Sequence, residues 1–239
     1  MNAARIQSAL AVLREAAQQQ PAVFSTSFGA EDMVVLDLIR RHDLPIGIFT
    51  LDTGRLPEET YRLMQQVEET YGHCYTTYFP DAAAVQALVA KNGINGFYAS
   101  VDNRKACCAV RKTEPLGRAL AGKRAWVTGL RAQQSVTRTG LPARETDAER
   151  GLEKFNPLSD WAEADVWAYI RAENVPYNEL HDKFYPSIGC APCTRAITPG
   201  EDLRAGRWWW EDPANKECGL HVKDGKVSRL RTIEIKEVA

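Results

Sequence analysis

The sequence predicts an α/β protein with a doubly wound, mostly parallel sheet and a C-terminal arm. Three observations carry this expectation. Short β-rich apolar runs alternate with segments of helical periodicity between residues 22 and 129. Three of those runs end in Gly, Ser or charged residues that would share one sheet edge. From about Pro199 the regular pattern fades into a stretch holding WWW and ECGLH. The expected division is a nucleotide-binding domain over 1–198 and a flexible arm over 199–239.

The first helix is expected over 3–19, where Ile6, Leu10, Leu13 and Ala17 share a face and Pro21 ends the run. Residues 22–27 read as a strand, and 30–41 as a helix with Met33, Val34, Leu36, Leu38 and Ile39 on its apolar face. PIGIFTL (45–51) reads as a buried strand, with LDTGRLPEE as its exit turn. A helix over 57–71, a β-rich run over 74–79 and a helix over 81–91 capped by Asp81 follow. RAWVTG (124–129) is another strand. Residues 139–154 are charged and contain Gly and Pro, which predicts a mobile loop. Residues 161–171 close the series as a helix after Ser159-Asp160.

Composition narrows the function classes. The 239 residues carry a net charge of -1, so no global basic footprint for nucleic acid is present. No run approaches the roughly 18 consecutive apolar residues of a membrane span. The N-terminal MNAARIQSALAVLREAAQQQ is charged throughout and lacks a signal peptide's apolar core. These features predict a cytoplasmic protein. In a reducing compartment its six cysteines are better suited to ligation or catalysis than to disulfides.

Two cysteine pairs stand out. Cys107 and Cys108 are adjacent in KACCAVRKTEPL, with Arg111 and Lys112 a turn further on. Cys190 and Cys193 form a CxxC in GCAPCTRA. Four soft ligands in two close pairs suit zinc or an iron–sulfur cluster. Neighbouring side chains diverge, so Cys107 and Cys108 would chelate one small zinc awkwardly. A cubane, with its irons spread over several ångströms, accepts them more readily. Cys218, in KECGLH, lies beside Lys216 and His221, which favour its thiolate.

The strand ends supply anion-binding chemistry. Ser27-Phe28-Gly29-Ala30-Glu31-Asp32 leads from a strand directly into a helix, whose free N–H groups and Gly29 would accept an anion at close approach. Leu51-Asp52-Thr53-Gly54-Arg55 follows the next strand, and Asp52 could bond a ribose or cap the turn. TGLRAQQSVTR places Gly129, Arg131 and Arg138 at the same edge. Together these ends suggest an anionic nucleotide.

SFGAED, LDTGR, CCxxRKxxPL, TGLRxxQSxTR, CxxC and ECGLH occur in this order from about Ser25 to His221. On these motifs the chain resembles the assimilatory sulfonucleotide reductases, in the iron–sulfur form that acts on adenosine 5′-phosphosulfate (APS). The resemblance implies the adenine nucleotide alpha hydrolase-like, or PP-loop, fold. It implies that Cys218 attacks the sulfate sulfur, that AMP leaves, and that thioredoxin or a glutaredoxin-like dithiol protein releases sulfite from the S-sulfocysteine. It implies a [4Fe-4S] cluster on Cys107, Cys108, Cys190 and Cys193 that is non-redox in turnover; on physical grounds its expected role is electrostatic, fixing the Arg111–Lys112 segment near the sulfate. Lys112 and Arg111, with Arg131, Arg138, Arg204 and Arg207, are then candidates to hold sulfate and phosphate. His221 joins them beside the nucleophile. Both cysteine pairs favour APS over its 3′-phosphorylated form, PAPS. Relatives are often dimers or tetramers, so a homo-oligomer is compatible. An ATP pyrophosphatase-type enzyme would usually carry an SGGxDS-like loop, from which Phe28 and Ala30 depart.

Overall fold

The computed structural model describes residues 3–134 and 140–212. Cys218, His221 and Arg138 therefore lie outside the described residues. Helix α1 (Ala3–Gln18) precedes β1 (Ala22–Thr26), α2 (Ala30–Arg41), β2 (Gly47–Leu51), α3 (Glu58–Tyr71) and β3 (Tyr75–Tyr78). Then come α4 (Ala82–Asn92), α5 (Val101–Cys108), α6 (Glu114–Leu120) and β4 (Ala125–Val127). The antiparallel pair β5 (Arg144–Asp147) and β6 (Leu152–Phe155) and helix α7 (Glu163–Glu173) complete the regular elements.

The sheet order is β3-β2-β1-β4-β6-β5, with every neighbouring pair parallel except β5–β6. The apolar strand sequences fit a sheet covered on both faces. On one face Phe24, Ile48 and Val127 join the buried residues of α1, α2, α3 and α7. On the other, Val23, Phe49 and Trp126 meet Leu116, Ala119 and Leu120 of α6. The chain runs outward from β1 to β2 and β3, then returns to place β4 on the other side of β1. That reversal opens a crevice at the carboxyl ends of β1 and β4, where open α/β sheets bind ligands.

Asp37 ties three helices on one face of the sheet. Its fully buried carboxylate accepts from Arg41 Nε at 2.7 Å, Tyr71 Oη at 2.8 Å and Tyr169 Oη at 2.7 Å. It thereby joins α2, α3 and α7. Asp81 caps α4 as expected, accepting from Ala84 N at 2.8 Å.

The expected mobile loop over 139–154 is corrected by the structure: its described part holds strand β5, a four-residue turn and the start of strand β6. Their side chains form a charged ladder, with Arg144 bridging Glu15 and Glu153 and with Lys154 bridging Glu145. β5 is an edge strand, where charges are a normal protection against further pairing. Beyond Pro199, residues up to 212 pack on the domain: Trp208, Arg207 and Glu211 are buried. Among the described residues no helix is long and apolar enough to cross a membrane.

Candidate active site

A cavity of about 700 Å³ occupies the crevice. Ser27, Gly29 and Asp32 line it from the turn after β1, Leu51 and Thr53 from the turn after β2, and Gly129 and Arg131 from the turn after β4. Arg204 and Arg207 close it from the chain beyond the CxxC. Its volume suits a nucleotide-sized ligand, since small-molecule sites span about 300–1,000 Å³.

The first turn is held by its own side chains. Ser27 donates to Asp32 Oδ2 through both its backbone N–H, at 2.6 Å, and its hydroxyl, at 2.7 Å. Phe28 adopts the left-handed region at φ 58°, unusual for a bulky residue, and its N–H donates to Thr26 Oγ1 at 3.0 Å. Its buried ring, edge-on to Tyr75 at 5.3 Å, holds that conformation. Gly29 then opens α2 as its N-cap. Burial pushes the Asp32 carboxyl from 3.8 up to about 6, although the two Ser27 hydrogen bonds pull it down. Opposite, a Cβ on Gly129 would collide with Asp32 Oδ1, so only glycine allows the β1 and β4 turns to meet this closely.

The cations differ in what they offer. Arg131 is buried and its guanidinium bridges Glu31 at 2.7 Å, so its charge is largely compensated within the wall. Arg111 does not line the nucleotide cavity. It is buried beneath the LDTGR turn, donating from Nη1 to Thr53 O at 2.6 Å. Lys112 and Arg207 face both the cavity and a second, smaller pocket.

That second pocket is lined by Cys107, Cys108, Cys190 and Cys193 together. Adjacency in sequence brings the first pair from the end of α5. A short 3₁₀ turn, Ala191–Cys193, brings the second. None of the four is in a disulfide. Among the described residues no three His, Cys, Asp or Glu groups converge as a single-ion site. The four thiols line one shared space. Cations temper their burial. Cys190 is lowered: burial opposes its thiolate, but Lys112, a Thr53 hydrogen bond, Arg207 and Arg111 together outweigh it. Cys193 is pushed up to about 12 by burial, with Cys190 and Cys108 adding repulsion. Burial also raises Cys107, and Arg111 acts against it.

The LDTGR turn is the partition between the two spaces. Thr53 lines the nucleotide cavity, and its Oγ1 lies 3.3 Å from Cys190 Sγ. Arg55 O accepts from Ala191 N at 2.8 Å. Asp52 accepts from Gly54 N at 2.7 Å and from Tyr61 Oη at 3.0 Å, and it does not line the cavity. Of its two sequence readings, the turn cap is visible in the structure. Gly54, at φ +69°, likewise stands outside the cavity wall, against Arg111 Nη1.

Sequence reasoning did not single out Thr53, Glu31, Trp126 or Arg104. Thr53 and Glu31 lay inside quoted motifs, whereas Arg104 had no local signal. Its guanidinium forms a buried two-point pair with Glu211, at 3.0 and 2.8 Å, 107 residues away. It also stacks over Trp208, 4.6 Å from the ring centroid.

A profile of the phosphoadenosine phosphosulfate reductase domain matches residues 21–196. The chain is 65% identical over 202 residues to an adenosine 5′-phosphosulfate reductase of Allochromatium vinosum, spanning 84% of this chain and 79% of the relative. It is 53% identical over 221 residues to the enzyme of that name from Burkholderia cepacia, spanning 92% and 88%. Among solved structures, a phosphoadenylyl-sulfate reductase from Candida auris matches with a TM-score of 0.68 at 32% identity, over 79% of this chain and 90% of that one. Yeast FAD synthetase shares the fold alone, with a TM-score of 0.53 at 17% identity over 81% and 67%. With its reversed crevice, its Ser27–Asp32 turn and these relatives, the chain belongs to the phosphoadenosine phosphosulfate reductase family.

Proposed function

We propose that this protein reduces APS to sulfite and AMP in sulfate assimilation, by covalent catalysis on Cys218 and with a [4Fe-4S] cluster on Cys107, Cys108, Cys190 and Cys193. The observation that carries the reading is the shared wall: the four-thiol pocket adjoins the nucleotide cavity, and Lys112 and Arg207 face both. The relatives named for APS reduction supply the substrate.

The chemistry follows from charge. Thiolate and sulfate are both anionic, so cations must screen their approach. Lys112, Arg204 and Arg207 line the cavity to do this, while Arg131 is tied to Glu31. The Cys218 thiolate attacks the sulfate sulfur, and the S–O bond to phosphate breaks. AMP leaves with the bonding pair, and the sulfonate stays on Cys218. A thioredoxin-like dithiol then attacks Sγ and sulfite departs. The donor set fits the cluster, since four thiols, none in a disulfide, line one space and basic side chains stand beside them. When bound, the cluster supplies a fixed structural and electrostatic anchor for the Arg111–Lys112 segment.

Two measurements test this. Anaerobically purified protein should be brown, with about four irons and four sulfides per chain; a colourless zinc protein would refute the cluster. Mass spectrometry after APS addition should show a sulfonate adduct that disappears in Cys218→Ser while APS binding remains. An adduct surviving in that variant would remove Cys218 from the mechanism.

A further inference from the structure

Beyond the cavity-lining Arg207 the chain turns outward. Trp208 is buried, but Trp209 is 38% exposed. Its ring meets Trp210 edge-on at 4.8 Å and Tyr98 at 6.3 Å. Tyr98 is 41% exposed, and its hydroxyl donates to Pro192 O, inside the CxxC, at 2.7 Å. Ile94, 62% exposed, stands in the turn before it. These side chains form an apolar ledge next to the thiol pocket. Neither Tyr98 nor Trp209 lines either cavity. Exposed aromatic patches of this kind are characteristic of docking surfaces.

Chain length indicates what docks there. Cys218 is six residues beyond Asp212. Six residues span at most about 20 Å when fully extended. Any protein that reacts at Cys218 must therefore seat close to Asp212, and Trp209 is only three residues from it.

We propose that the Tyr98–Trp209 ledge is the docking surface for the reductant, a small protein with an exposed dithiol. The proposal rests on the reading of Cys218 above. One thiolate of the partner attacks Sγ of the S-sulfocysteine. The bond from Sγ to the sulfonate sulfur breaks, and sulfite leaves with its electron pair. A mixed disulfide joins the two proteins. The partner's second thiolate then displaces the Cys218 thiolate, and the partner departs as a disulfide, having supplied two electrons. The ledge holds the partner during these two exchanges.

The half-reactions separate the possibilities. Cluster-loaded Trp209→Ser should release AMP in a single turnover, without reductant, at the wild-type rate. Its KM for thioredoxin should rise about tenfold with little change in kcat, Trp209→Phe should restore it, and sulfite release by dithiothreitol should be unaffected. An unchanged KM for thioredoxin would overturn the proposal. So would an equal loss with dithiothreitol, or slowed AMP release, which would assign the ledge to the chain's own residues 213–239. Absence of an adduct in the wild-type protein would instead overturn the Cys218 reading on which the proposal rests.

Discussion

Glu211→Leu removes the carboxylate facing Arg104 while keeping a side chain of similar size. Both partners are almost fully enclosed, with side-chain exposures of 2% and 3%. The variant therefore leaves a guanidinium charge out of water and without its two-point acceptor. Breaking a buried pair in this way costs about 3–5 kcal/mol. In a chain of this length 1 kcal/mol shifts the midpoint by about 2–4 °C, so the apparent Tm should fall by roughly 10 °C. The pair also fastens residues 204–211 to α5, so APS affinity should weaken as Arg204 and Arg207 lose their support. The control is Arg104→Met with Glu211→Leu, which removes both charges and should recover at least half of the lost stability. Thermal scans on proteins of equal iron content provide the assay. A fall below about 2 °C for the single variant, or no recovery in the double one, would refute a buried, stabilised anchor.

Three further outcomes follow from the site. Asp32 holds its proton more tightly when folded, from 3.8 up to about 6, so its stabilising contribution is complete below pH 3.8 and is lost as the pH rises to 6. Asp32→Asn should therefore gain stability relative to wild type between pH 5 and pH 7.5, by about 1.4 kcal/mol, read from urea midpoints; a constant difference across that range would contradict the shift. Gly129→Ala should drive its new methyl against Asp32 and cost about 1–3 kcal/mol of stability, with APS affinity reduced in calorimetry. Normal affinity would show that the turns can part freely. Lys112→Ala should lower turnover by about 10²-fold while iron content is retained, and unchanged turnover would exclude it from charge screening.

The parts of this molecule legible in sequence are those governed by local rules. Helix α2 runs over 30–41 as its periodicity and preceding Gly29 predict. The strands before Ser27, Asp52 and Gly129 end within two residues of their expected limits. Most of the cavity residues come together because each follows a strand that its motif identifies, and the four cysteines because CC ends helix α5 and CxxC forms a short 3₁₀ turn. Strands β5 and β6 were not legible because RETD and LEKF carry charges that resemble a solvated loop. Only the cross-strand partners Arg144–Glu153 and Lys154–Glu145 show that those charges belong to a sheet. The fates of Arg131 and Arg111 were hidden for a similar reason. Glu31 is 100 residues from Arg131, and the Thr53 carbonyl is 58 residues from Arg111, and no local pattern relates them. The turn cap by Asp52 became visible only with its acceptor oxygens engaged by Gly54 and Tyr61.

The thin partition formed by Thr53 and its neighbours imposes a thermodynamic reciprocity on the proposed cluster. One residue contacts the Cys190 thiol on one side and the nucleotide space on the other. Whatever factor cluster loading contributes to APS affinity, bound APS must return as the same factor in cluster retention. If the proposed cluster strengthens APS binding, bound APS strengthens cluster retention at equilibrium to the same degree.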